Sequence, residues 1–138
     1  MVRLNVLRNR IRRSSQLTSN ECSPGDFYYF AIKNSKGRHE GERTPLMLVT
    51  EFGYRLGSIV GFNLLMMSPQ ERNHVLTARE RIKHIEGIER QVVEYRHLRK
   101  QMKSSPGVRE YPNRRNVISG IRRISEEGIE QIRKDGLL

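Results

Sequence analysis

Arg96, Arg99, Lys100 and Lys103 recur at three- and four-residue spacing, so on a helix they share one face. A cationic stripe of this kind suits the phosphates of a nucleic acid or an acidic protein surface. Phosphate contacts give affinity and steep salt dependence without base choice. Arg109, Arg114, Arg115, Arg122 and Arg123 extend the positive field, and Tyr111 within it is placed to stack on a base or to pack beneath an arginine. Arg8, Arg10, Arg12 and Arg13 form a second group, near the N-terminus. Charge runs are ordinarily solvated helix faces. Residues 96–123, however, hold nine Lys or Arg against a single acid, Glu110, and that imbalance favours a polyanionic partner.

Other chemistries find little support. His74 and His84 lie ten residues apart, not at the spacing that sets two ligands on one helix face, and His39 and His97 have no partner motif. The only aspartates are Asp26, in a turn, and Asp135, so the clustered carboxylates of a two-metal site are missing. Glu86 and Arg90 are spaced as a surface ion pair. Cys22 is the only cysteine, which excludes an intrachain disulfide and a thiolate metal cluster. No phosphate-cradling glycine motif occurs. The expectation is a non-enzymatic protein without metal or cofactor.

The whole chain carries 26 Lys and Arg against 15 Asp and Glu, a net charge of +11. A charge so far from zero concerns partners more than fold. It is uneven: net +4 over residues 1–25, +1 over 26–67 and +6 over 68–138. With 138 residues, 36% of them hydrophobic and no Trp, the chain supports one modest core. No apolar run is long enough to span a bilayer, and Met1–Arg13 lacks the apolar stretch of a secretory signal, although it shares the Arg-rich, acid-free look of a transit peptide.

These residues need elements to position them. Leu4, Leu7 and Ile11 have helical spacing, with arginines over the rest of that short segment, which reads as an arm ordered by a partner; Ser14–Gly25 reads as a linker. Phe27–Ile32, Leu46–Thr50 and Ile59–Met67 are apolar runs separated by turn residues, expected as strands. Ser68-Pro69-Gln70-Glu71 is a helix start, and an apolar stripe from Val75 to Met102 follows, with a break expected at Gly87. Val117, Ile118, Ile121, Ile124, Ile129 and Ile132 predict a last helical stretch. The expected organisation is a basic arm and linker over 1–23, a small β domain over 24–67 and a basic helical region over 68–138. The fold class is α+β: a small curved antiparallel sheet, SH3-like or a partly open barrel, followed by two or three helices.

The block from Pro24 to Leu76 reads PGDFYYF, then TPLMLV, then VGFNLLMMSPQERNHVL. It resembles a group of small tailed-bacteriophage proteins with a Pro-Gly-x-aromatic strand, a Pro-Leu-aliphatic strand, and a Gly-x-Asn strand leading into a Pro-initiated helix. The resemblance implies a phage source and a role in the virion or in DNA handling, in the host cytoplasm or in the particle. It implies no catalytic residues. This chain departs from the pattern at KNSKGRHEGERT, and its arm and most of its C-terminal half lie outside the match. PGD with Arg43-Thr44-Pro45-Leu46 also resembles the MazF-like toxin endoribonucleases, whose plan would put Arg43 and Thr50 at a scissile phosphate. Three readings are thus set out: a nucleic-acid binder acting in packaging, protection or replication; a virion component in the neck, tail or baseplate, clasping acidic neighbours in a larger assembly; and a toxin-like nuclease.

Overall fold

The computed structural model describes residues 6, 9–10, 15–17, 23–33, 43–52, 57–112, 118–136 and 138. The strands are β1 (Ser15–Leu17), β2 (Phe27–Ile32), β3 (Leu46–Phe52), β4 (Ser58–Asn63), β5 (Val108–Pro112) and β6 (Ile118–Ile124). The helices are α1 (Pro69–Ile82), α2 (Ile88–Gln101) and α3 (Glu126–Lys134). The strands form one antiparallel sheet in the order β1-β6-β2-β3-β4-β5, open at β1 and β5 among the described residues. The α+β class and the curved sheet are as expected. No helix among the described residues is long and apolar enough to cross a membrane.

Side-chain alternation gives the sheet two apolar faces. Phe27, Leu46, Leu48 and Phe62 point to the helices and pack with Val75, Ile82, Tyr95, Leu98, Ile129 and Ile132. Tyr28, Phe30, Met47, Val49, Ile59, Tyr111, Ile118 and Ile121 form the other cluster, all of it from strands. Its burial follows from curvature. Three strand spacings of about 4.8 Å would separate β2 from β5 in a flat sheet. Yet the Phe30 and Tyr111 rings meet edge to face with centroids 5.9 Å apart, so the sheet curls around them.

The helix start at Ser68 is a complete capping box: Glu71 N–H donates to Ser68 Oγ (3.2 Å) and Ser68 N–H donates to Glu71 Oε1 (2.9 Å). The run after Ile59 ends as a strand at Asn63, whose side chain accepts from Leu65 N–H and caps a short 3-10 turn over Leu64–Met66. Arg79 joins three elements. Its Nε donates to the Gly25 carbonyl at 2.6 Å, its Nη2 bonds Glu126 at 2.7 Å, and its guanidinium lies 4.5 Å from the Phe27 ring centre.

Two expectations are corrected. The stretch from Val117 onward is not a continuous helix: Ile118–Ile124 is β6, paired with β1 and β2, and only Glu126–Lys134 is helical. The three-residue isoleucine spacing imitates a helix because β6 holds a bulge. Ala31 pairs with Ser119 and Tyr29 with Arg122, so Gly120 and Ile121 together face Phe30. Gly120 takes φ +66°, the left-handed conformation such a bulge requires. The extra residue sets Ile118 and Ile121 on one face and Ile124 on the other. Secondly, the arm and linker are partly built into the fold. Ser15–Leu17 pairs with β6, and Arg10 forms an ion pair with Asp135 just after α3. The sheet therefore draws strands from all three stretches into which the sequence was divided.

Candidate polyanion-binding surface

The expected cationic stripe begins on α2, a helix that buries Tyr95 and Leu98 and so turns Arg96 and Lys100 away from the core. Beneath the helix, β3 carries its own bulge. Val49 pairs with Gly61 and Glu51 with Val60, which leaves Thr50 as the extra residue. Thr50 and Glu51 consequently both meet α2. Arg96 donates from Nε to both Glu51 carboxylate oxygens (3.0 and 3.1 Å) and from Nη2 to Oε2 (2.8 Å). Arg99 donates to Thr50 Oγ1 and to Glu51 Oε1. Burial pushes the Glu51 carboxyl upward, but the hydrogen bonds and charges of Arg96 and Arg99 outweigh it and hold the group below the ordinary glutamate range.

One carboxylate thus gathers two guanidinium groups, and the cluster keeps a net positive charge. The two arginines differ in access. Arg99 is largely enclosed, whereas 46% of the Arg96 side chain remains exposed while Glu51 fixes its plane. Lys100 follows one turn later on the exposed side, and Lys103 lies in the turn after the helix, its N–H on the Lys100 carbonyl at 3.4 Å. Among the described residues no carboxylate lies within ion-pair distance of Lys100 or Lys103. The surface that results is Arg96, Lys100 and Lys103, backed by Arg99.

The other candidates do not join it. Arg109 and Tyr111 stand on β5 and face the second, strand-only side of the sheet. Tyr111 is buried, edge-on to Phe30, and its hydroxyl accepts from Asn63 Nδ2 at 3.3 Å, so it offers no face to a base. Strand alternation sends Arg122 and Arg123 to opposite faces, and Arg123 lies 3.7 Å from Asp26. Arg10 is paired with Asp135. Arg8, Arg12, Arg13, Arg114 and Arg115 lie outside the described residues, as do Cys22 and His39. The expected Glu86–Arg90 pair is not formed: α2 begins at Ile88 after Gly87, so Glu86 is off the helix and the four-residue spacing has no common face. The toxin-like assignment loses its threonine, because Thr50 is fully buried, donates to the Val60 carbonyl at 3.2 Å and accepts from Arg99, while Arg43 is exposed.

Sequence reading missed Glu51, which it left beyond the end of the second strand. A single acid closing an apolar strand run, in a chain with so many unmatched arginines, was the available signal. The alternative concavity is a cleft of about 350 Å3 between α1 and α3, floored by Phe27, Leu76 and Ile129. Its rim sets Arg79, Lys83 and Arg133 against Glu80, Glu126 and Glu130, and the Arg79–Glu126 and Lys83–Glu80 pairs leave it no charge preference. Among the described residues no three His, Cys, Asp or Glu side chains converge as a metal site. The sequence matches no protein-family model and no curated protein, and no solved structure matches the fold.

Proposed function

We propose that the protein is a non-enzymatic, phage-encoded binding protein that contacts nucleic acid through the Arg96–Lys100–Lys103 surface, in packaging, protection or replication. The observation that carries the reading is the pairing of an oriented, exposed arginine with two exposed lysines that have no carboxylate beside them among the described residues. Glu51 fixes Arg96 in one geometry, so less side-chain freedom is lost when a phosphate is bound. Lys100 adds a point charge one turn further along the helix, and Lys103 adds another in the turn that follows it. Contacts of this type read the backbone and not the bases.

The test is a binding isotherm for duplex DNA, and for single-stranded DNA and RNA, across a salt series. The expected result is log K falling linearly with log salt, and a slope shallower by about 2 in a Lys100→Ala/Lys103→Ala variant, close to one per phosphate contact. Absence of binding at the lowest salt would overturn the reading. The structural-component reading is favoured by a different observation, the exposed apolar residues at the turn between α1 and α2.

A further inference from the structure

Where the start of α1 meets the end of α3, two arginines surround one small hollow. Pro69, Arg72, Asn73, Leu76, Arg133 and Leu138 line a pocket of about 190 Å3. It adjoins the larger cleft between the same helices, and Leu76 and Arg133 are common to both. The charges differ. The cleft sets Glu80, Glu126 and Glu130 against its cations, whereas the pocket holds two guanidinium groups and no acid. Arg72 is half-buried, and among the described residues its side chain makes one bond, a long one of 3.4 Å from Nη1 to the Leu64 carbonyl. That carbonyl also accepts from Met67 N–H at 3.4 Å. Burial pulls the Arg72 guanidinium below the ordinary arginine range. Arg133 is exposed, and no carboxylate of the described residues lies within ion-pair distance of either arginine. The nearby acids are engaged elsewhere: Glu71 closes the capping box on Ser68, Asp135 accepts from Gln131 and Arg10, and Glu126 accepts from Arg79.

A partly desolvated cation without a counter-charge is an unfavourable arrangement that a bound anion relieves. The guanidinium fork matches the oxygens of a phosphate group two at a time. Arg72, Arg133 and the Asn73 amide together supply donors from three residues, with Pro69, Leu76 and Leu138 as apolar walls that strengthen such contacts by lowering the local dielectric. Two guanidinium charges are matched by a dianion and left in surplus by a carboxylate or a phosphodiester, which carry one charge each. A phosphate monoester carries close to two charges near neutral pH. The pocket is smaller than the roughly 300–1,000 Å3 of sites for drug-sized ligands, so its anion is compact. We infer that the Arg72–Asn73–Arg133 pocket binds a phosphate dianion, either the free ion or a small monoester. This site is separate from the α2 surface, whose proposed ligand is a chain of singly charged diesters.

Isothermal titration calorimetry of inorganic phosphate into the full chain, with chloride holding the ionic strength constant, tests this. The expected result is one saturable site. Arg72→Met, which keeps an apolar stem, and separately Arg133→Gln should each raise the dissociation constant by at least about tenfold, near 1.4 kcal/mol. Arg133 is exposed, so its variant probes the pocket without disturbing the core. Stability supplies a readout that changes sign. In phosphate-free buffer Arg72→Met should have a urea midpoint equal to or above that of wild type, because a half-buried cation without a counter-charge has been removed. In saturating phosphate the order should reverse, since the ion stabilises the chain that binds it. Methyl phosphate bound as tightly as phosphate would identify a monoester as the ligand, and its refusal would identify the free ion. Dimethyl phosphate, with a single charge, should bind at least about tenfold more weakly than phosphate. Absence of saturable binding overturns the proposal. So does an isotherm unchanged in both arginine variants, which would put the ion elsewhere, the α2 surface included. Equal affinity for dimethyl phosphate, or an Arg72→Met midpoint well below wild type without phosphate, overturns it as well.

Discussion

Replacing Glu51 by Ala is expected to lower stability by about 3 kcal/mol, with the urea midpoint as the measurement. The carboxylate is the acceptor for both Arg96 and Arg99, and the Arg99 side chain is only 15% exposed. Without Glu51 that guanidinium is left with the Thr50 hydroxyl while remaining enclosed between α2 and β3. Glu51→Gln retains an acceptor and loses the charge, so its cost should be smaller, about 1.5 kcal/mol. The pH dependence separates charge from packing. The folded carboxyl lies below its ordinary range, so its contribution is complete above the unfolded value, about 4.3, and is lost as pH falls through the lower folded value. The midpoints of wild type and Glu51→Gln should therefore differ most near neutrality and converge in acid. A gap that persists to low pH would mean that shape, and not charge, is what Glu51 supplies. Glu51→Ala also reports on function: with Arg96 no longer held in plane, affinity for DNA should fall although the net charge has become more positive.

That last outcome is the sharpest distinction between an organised surface and a merely basic one. A chain that binds through net charge alone binds more tightly when an acid is removed. A chain that binds through an oriented arginine binds less tightly. Opposite signs are predicted for one substitution, and the salt series measures both.

Much of the frame was legible in the sequence because local chemistry and tertiary demand agree there. Phe27–Ile32 is aromatic and alternates into two buried layers, and Ser68-Pro69-Gln70-Glu71 carries every element of a helix start. The failures have a common cause. At Ile118–Ile124 and at Val49–Glu51 a bulge shifts the register, and periodicity is then read wrongly by one residue. The first shift makes a strand look like a helix. It also placed Arg122 and Arg123 on a shared cationic surface, when strand geometry sends them to opposite faces. The second hides Glu51, because nothing local announces that a strand-end acid will turn toward a helix forty-five residues further on. Tyr111 failed for another reason. Its burial depends on a sheet curved enough to bring β5 over β2, a long-range property invisible in its own neighbours.

Gly61→Ala is expected to be the other severe substitution. Gly61 lies in β4 opposite Val49, at the residue where the β3 bulge begins. A methyl carbon added there would stand 2.0 Å from the Leu48 carbonyl oxygen and 3.1 Å from the Val49 α-carbon. Both are backbone atoms of the paired strand, so no rotamer relieves the clash and β3 itself must move. Overpacking of this kind should cost at least about 3 kcal/mol. The effect reaches the α2 surface, because the same register turns Thr50 and Glu51 toward Arg99 and Arg96. The contrast is Gly87→Ala. Gly87 has φ +94° but open space around its α-carbon, so only backbone strain opposes the methyl group, about 1–2 kcal/mol. Thermal or urea unfolding should rank Gly61→Ala far below Gly87→Ala. Equal losses would mean that the close approach of β3 to β4 at the bulge is not what holds Glu51 against the helix, and the oriented arginine would need another origin.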